Sequence, residues 1–174
     1  AAGAVLVGAL NMGEYAYDFT GENVHDGPSR NPHDPTRMTG GSSGGSGSAV
    51  GGALVPIALG SDTNGSIRVP SSFCGIFGLK PTYGRLSRAR SFPFVASFDH
   101  LGPFARCTRD LALSYDAMQG YDPLDAGCVE RPVDPSVPQL TRGIDGHPAP
   151  VRAAAGTRRP RWPPPRARCR GRRH

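Results

Sequence analysis

The sequence predicts an α/β fold on three observations. The run Ala4–Leu10, "AVLVGAL", is apolar throughout and of strand length, and it reads as a buried strand. Apolar and tiny residues continue without a break from Ala49 to Leu59, so the glycine-rich stretch before them runs into a core. In "TRDLALSYDAMQG", residues 108–120, Leu111, Tyr115 and Met118 share one helical face, with Thr108 as the N-cap and Gly120 as the stop.

The elements follow in chain order. After the first strand, "NMGEYAYDF" predicts a short helix, and "TGENVHDGPSRNPHDPTRM" is a polar loop punctuated by prolines. "TGGSSGGSGSAVGG", residues 39–52, has the composition of a flexible linker. A tether stays polar on both sides, however, and this one continues into apolar sequence. It is therefore expected to form, near Ser46–Leu54, a helix packed so closely that only Gly, Ala and Ser fit, followed by a strand at Val55–Leu59. The opening "AAGAVLVGALN" reads as a helix end entering a strand, which predicts that sequence belonging to the fold lies ahead of it.

Charge divides the chain in two. The formal charge is +6, but residues 147–174 hold nine arginines and no acid, so residues 1–146, with eleven basic and fourteen acidic groups, come to −3. A tail of this Arg, Pro and Ala content cannot bury an apolar face and is expected to be disordered. It reads either as a nucleic-acid arm or as the out-of-frame end of a GC-rich gene. The ten arginines against one lysine in the rest of the chain favour the second, and nucleic acid is not the expected partner. No apolar run reaches the roughly 20 residues that span a bilayer. Cys74, Cys107, Cys128 and Cys169 match no zinc spacing and read as reduced thiols, which places the chain in the cytoplasm. His25 and His33 lie in the polar loop without a metal-binding spacing. No metal or cofactor is expected.

Several motifs compete for the glycine-rich stretch. A phosphate loop needs Gly-Lys-Ser/Thr, and Lys80 sits far away in "GLKPT". "GSGSAV" lacks the last glycine of the dinucleotide fingerprint. "GSSGG" would make Ser43 the nucleophile of an elbow, but that motif follows a strand, and "SRNPHDPTRMTG" is not one.

"GGSSGGS" followed by "GSDTNGSIRVPSSFCGIFGLKPTYGR" resembles the amidase signature family over residues 1–146. The resemblance implies a mixed central sheet covered by helices, only partly present here. The region bearing the family's lysine and the C-terminal half of the fold are expected to be missing. It also implies a Ser–cis-Ser–Lys triad, with Ser66 as the acylated nucleophile and Ser42, behind a cis peptide bond, relaying its proton. The amides of Thr63, Asn64, Gly65 and Ser66 are implied to form the oxyanion hole, and Gly41 relieves crowding at the cis bond. Asp62 and Arg68 are expected to pair and hold the nucleophile loop, with a direct substrate role as the alternative, and His100 reads either as a substrate contact or as a satisfied loop histidine.

The "DTNGSIRVP" variant and "SFPFVASFDHLGPFARC" resemble the branch that hydrolyses small carboxylated urea or biuret-type amides, releasing ammonia through an acyl-serine. For such an enzyme the resemblance implies homo-oligomerisation and a small partner subunit. Other signature amidases, acting on allophanate, aryl amides or misacylated tRNA, are the alternatives, as is a non-catalytic remnant with a basic tail. Three departures stand out. Asn64 occupies a position that is often glycine, Gly13 stands where Asp is common, and Asp18 stands where Gly is common. The graver departure is that Lys80, the only lysine, lies in a segment that does not match the family's base.

Overall fold

A computed structural model describes residues 3–143, so the Arg/Pro-rich tail lies outside the described residues. Six elements carry the fold: α1 (Gly44–Gly51), β1 (Ile57–Asp62), α2 (Arg68–Phe73), β2 (Phe77–Gly78), β3 (His100–Ala105) and α3 (Thr108–Met118). The strands form one sheet in the order β1-β3-β2, and both pairings are antiparallel. The parallel pairing of a mixed sheet does not occur among the described residues. In the register, Ile57 faces Ala105 and Asp62 faces His100. The sheet thus delivers the C-terminal end of β1 next to the start of β3.

Helix α1 is built from "GGSGSAVG", a poor helix sequence in isolation, since each glycine costs about 1 kcal/mol relative to alanine. Packing explains it. A Cβ at Gly45 would lie 2.4 Å from the backbone oxygen of Asn11 and 2.6 Å from its nitrogen, and one at Gly60 would lie 2.6 Å from both Ser43 Oγ and Phe104 Cε2. Serines stitch the helix to the sheet: Ser46 Oγ donates to the Leu59 carbonyl at 2.7 Å, and Ser43 Oγ bonds Ser61 N and O, each at 3.2 Å. The glycines are therefore sites of close approach. Gly45→Ala is expected to destabilise the fold by about 1–3 kcal/mol or more, because the obstruction is backbone and cannot rotate away. A urea midpoint unchanged from the parent would contradict this.

The core sits under the same corner, where Val50, Ala58, Ile67 and Phe104 are buried together and Val55 and Ile76 pack on them. Ile67 immediately follows Ser66, so the loop bearing Ser66 is rooted in this core.

The structure corrects four expectations. Ala4–Leu10 is not a strand: it pairs with no strand among the described residues, and Val5, Leu6 and Val7 are exposed. An apolar run specifies burial only when a partner edge is present to bury it. The short helix near Gly13 is only a 3-10 turn, Glu14–Ala16, broken by positive φ at Tyr15 and Ala16. The strand expected at Val55–Leu59 runs instead over Ile57–Asp62, because the chain turns through Gly52–Leu54 and β3 supplies hydrogen-bonding partners for Gly60, Ser61 and Asp62 despite their low strand propensity. The N-cap of α3 is Cys107, which is extended, while Thr108 is already helical. The face carrying Leu111, Tyr115 and Met118 is half-buried, and Ala112 and Ser114 are the buried positions.

Candidate active site

Two loops meet at the corner. The first begins at the Gly41–Ser42 peptide bond, which is cis. It is held from both sides: Gly41 N–H donates to the Phe19 carbonyl at 2.8 Å, and the Ser42 carbonyl accepts Gly13 N–H at 2.8 Å and Gly44 N–H at 2.9 Å. Ser42 is 0% exposed, and its Oγ has no hydrogen-bond partner among the described residues. A buried hydroxyl without a partner is costly and calls for an explanation.

The second loop, 62–68, is organised by one carboxylate. Asp62, 0% exposed, accepts the N–H groups of Gly65 (2.7 Å), Ile67 (3.1 Å) and Arg68 (3.3 Å), and takes the Arg68 guanidinium through Nε (3.0 Å) and Nη2 (2.9 Å). Burial pushes Asp62 upward, but the Arg68 guanidinium and these amides outweigh it and hold the carboxyl below its ordinary range. The expected Asp62–Arg68 pair is thus present. The loop leaves Ser66 buried, 6% exposed, at the head of α2. Ser43 N–H donates to the Ser66 carbonyl at 3.3 Å, joining the two serine loops directly.

The four amides expected to face an oxyanion are not alike in this geometry. Gly65 N–H is spent on Asp62, so it does not face a substrate in this geometry. The amides of Thr63, Asn64 and Ser66 have no acceptor among the described residues and remain as donors. Gly65 serves by conformation instead: its φ of 140° is one that side-chain-bearing residues avoid. The unusual backbone angle therefore falls on Gly65 and not on Asn64.

Gly13 and Asp18 prove complementary. A Cβ at Gly13 would lie 2.5 Å from Asp18 Oδ2, so the Asp18 carboxylate occupies the space that a side chain at 13 would need. From there its Oδ1 accepts Thr20 N–H at 2.7 Å and Gly21 N–H at 2.8 Å, fixing the turn whose Phe19 carbonyl holds Gly41.

Lys80 is tied up elsewhere, its Nζ lying 3.3 Å from both the Pro81 carbonyl and His100 Nε2. His100 Nδ1 faces the carbonyls of Phe98 (2.6 Å) and Asp62 (3.2 Å), so Nδ1 carries the proton and Nε2 accepts from Lys80. Both ring nitrogens are occupied, which favours the satisfied loop histidine. His33 Nε2 lies 2.8 Å from the Cys74 carbonyl, a structural role. Burial pushes the Cys74 thiol up to about 12, which makes it inert as a nucleophile. Ser43, the rejected elbow nucleophile, is committed to β1.

Thr63, Ser66 and His100 open on a cavity of about 1520 Å3 that also includes Tyr17, Arg88 and Phe94. Residues 4–10 and Leu54, Val55, Ile57, Ala58 and Leu59 line it as well. Small-molecule sites span about 300–1,000 Å3, so this cavity is open beyond what a small amide fills. Sequence reasoning missed Arg88, whose Nη2 pairs with Asp125 Oδ1 at 2.8 Å beside the cavity, both side chains being largely buried. An isolated Arg in a loop gives no sequence signal without its partner, here 37 positions away.

A serine in a sharp, carboxylate-braced bend, with amides beside it that have no acceptor among the described residues, adjoins a second buried serine on the neighbouring loop. The chain belongs to the amidase family, whose model matches residues 1–170. It is 65% identical over 146 residues to AtzE, the 1-carboxybiuret hydrolase component of Pseudomonas sp. strain ADP, covering 84% of this chain and 32% of that protein. It is 46% identical over 152 residues to a glutamyl-tRNA(Gln) amidotransferase component of Thermus thermophilus, covering 87% and 31%. Among solved structures it resembles a chain of a vestigial protein complex that reveals the evolutionary origins of an s-triazine catabolic enzyme, with a TM-score of 0.81 and 64% identity over 83% of this chain and 32% of that one. A bacterial aryl acylamidase of the amidase signature family superposes with a TM-score of 0.70 at 32% identity, covering 76% and 27%. The chain thus spans about a third of the length of these relatives. Its fold is that of the amidase signature, partly present.

Proposed function

We propose that this chain carries the nucleophile and relay serine of an amidohydrolase acting on a small carboxylated urea or biuret-type amide. The observation that supports it is the junction, through the Ser43–Ser66 backbone bond, of the braced Ser66 loop with the loop of Ser42, whose buried Oγ has no partner among the described residues. In this reading Ser66 Oγ attacks the amide carbonyl and its proton passes to Ser42 and on to a base. The amides of Thr63, Asn64 and Ser66 receive the developing oxyanion, each donor contributing about 3–4 kcal/mol. Collapse releases ammonia and leaves an acyl-serine, which water cleaves to regenerate the hydroxyl. The substrate class is taken from the 65% identical relative. The similarity to amidotransferase components keeps a different amide as the second reading. Homo-oligomerisation, a cytoplasmic location and a small partner subunit belong to the same proposal.

Among the described residues no base is bonded to Ser42 Oγ. The chain's one lysine is Lys80, bonded to His100 and Pro81. The 174-residue chain alone is expected to release no ammonia from carboxybiuret or simple amides. A version extended with a family segment bearing a lysine for Ser42 should release it. Ammonia assays on the two proteins test this. Turnover by the unextended chain, lost in Ser66→Ala, would overturn it and make Lys80→Met the deciding variant.

A further inference from the structure

Loop 91–98 has no regular structure, yet it is anchored at several points beside the cavity. Ser91, Phe92, Pro93 and Phe94 line that cavity, and the Phe94 ring meets Tyr17 edge-on, 5.9 Å between centroids. The Asp99 carboxylate gathers the loop's root: Oδ2 accepts Phe94 N–H at 2.8 Å, and the Val95 N–H is shared between Oδ2 at 2.9 Å and Oδ1 at 3.0 Å. Tyr83 Oη donates to the Ala96 carbonyl at 2.8 Å, and Arg88 Nη1 donates to the same carbonyl. One further bond leaves the loop altogether. Thr63 Oγ1 donates to Asp99 Oδ1 at 2.6 Å, across 36 positions of sequence. Thr63 is also the first donor of the oxyanion loop, and its amide direction is coupled to where its side chain is held.

We propose that Asp99 is a positioning residue that links loop 91–98 to the oxyanion loop through the Thr63 hydroxyl. An acyl group pressing on Phe94 is then felt at the Thr63 amide, and a ligand at Ser66 is felt at loop 91–98. The inference rests on the reading of Thr63, Asn64 and Ser66 as oxyanion donors, but its test needs no turnover.

The test is amide hydrogen exchange at Phe94 and Val95 in the 174-residue chain, with α3 as an internal control. Thr63→Val keeps the shape and removes only the hydroxyl. It is expected to speed exchange at Phe94 and Val95 by about tenfold, the scale of one charge-assisted hydrogen bond, and to leave α3 unchanged. Thr63→Ser restores the donor and should return both amides to the parent rate. Phosphonylation of Ser66 should slow exchange at 94–95 in the parent and not in Thr63→Val. Unchanged exchange in Thr63→Val, failure of Thr63→Ser to restore it, or acceleration spread equally through α3 would each overturn the link. If Ser66 refuses the phosphonate even after prolonged exposure at alkaline pH, the reading of the site falls, while the unlabelled comparison still decides the link.

Discussion

Replacing Ser66 by alanine is expected to abolish amide hydrolysis, a fall in kcat on the order of 10^6-fold, in a background extended to the length of the amidase relatives. Without Oγ there is no acyl-serine, and the remaining amides can polarise a carbonyl but cannot attack it. Ser42→Ala should cost orders of magnitude as well, since Ser66 would keep its position, through the Ser43–Ser66 backbone bond, but lose its proton relay. KM should move little in either case, because neither hydroxyl is asked to bind the substrate's ground state. Progress curves of ammonia release decide the matter. Parent-like turnover in Ser66→Ala would rule the assignment out.

Asp62→Ala is expected to be the most destabilising single change in the site, by about 3–5 kcal/mol. The asymmetry within the pair supports the choice of residue. The Arg68 side chain is 53% exposed and can turn to water, whereas losing the fully buried Asp62 strands three amide donors. The pH dependence follows from the lowered pKa of Asp62. A carboxyl held below its unfolded value of about 3.9 contributes its stability in full above that pH and loses it as the pH falls through the folded value. Urea midpoints measured between pH 7 and pH 2 should therefore drop on the acid limb in the parent, and less steeply in Asp62→Asn, which starts lower. Identical acid limbs in the two proteins would contradict the bracing role.

The residues that were legible in the sequence are those whose chemistry demands a local pattern. Gly41, Ser42 and Ser66 were placed by the resemblance of such short motifs to the amidase signature family, and the structure adds a cis bond at Gly41–Ser42 and the Asp62–Arg68 brace beside Ser66. The glycine-rich run was readable as buried because its apolar continuation needed a core. Pairing over long distances was not legible. The strand expected at residues 4–10 failed because an apolar run does not announce its partner edge. The extension of β1 through Asp62 depends on a register with β3 that no local propensity encodes. The same holds for Asp99 with Thr63, Arg88 with Asp125, and Asp18 filling the space at Gly13. The assignment of Gly65 to the oxyanion hole came from the family pattern, and a carboxylate three residues back has claimed its amide instead.

The central claim is that Ser66, and no other serine of the two loops, is the nucleophile. Its most direct test is peptide mapping after prolonged exposure of the chain to an activated phosphonate at alkaline pH, where a missing base matters least. A single adduct on Ser66 is expected, absent from Ser66→Ala and retained in Ser43→Ala. An adduct on Ser42 or Ser43, or labelling that survives in Ser66→Ala, would contradict it.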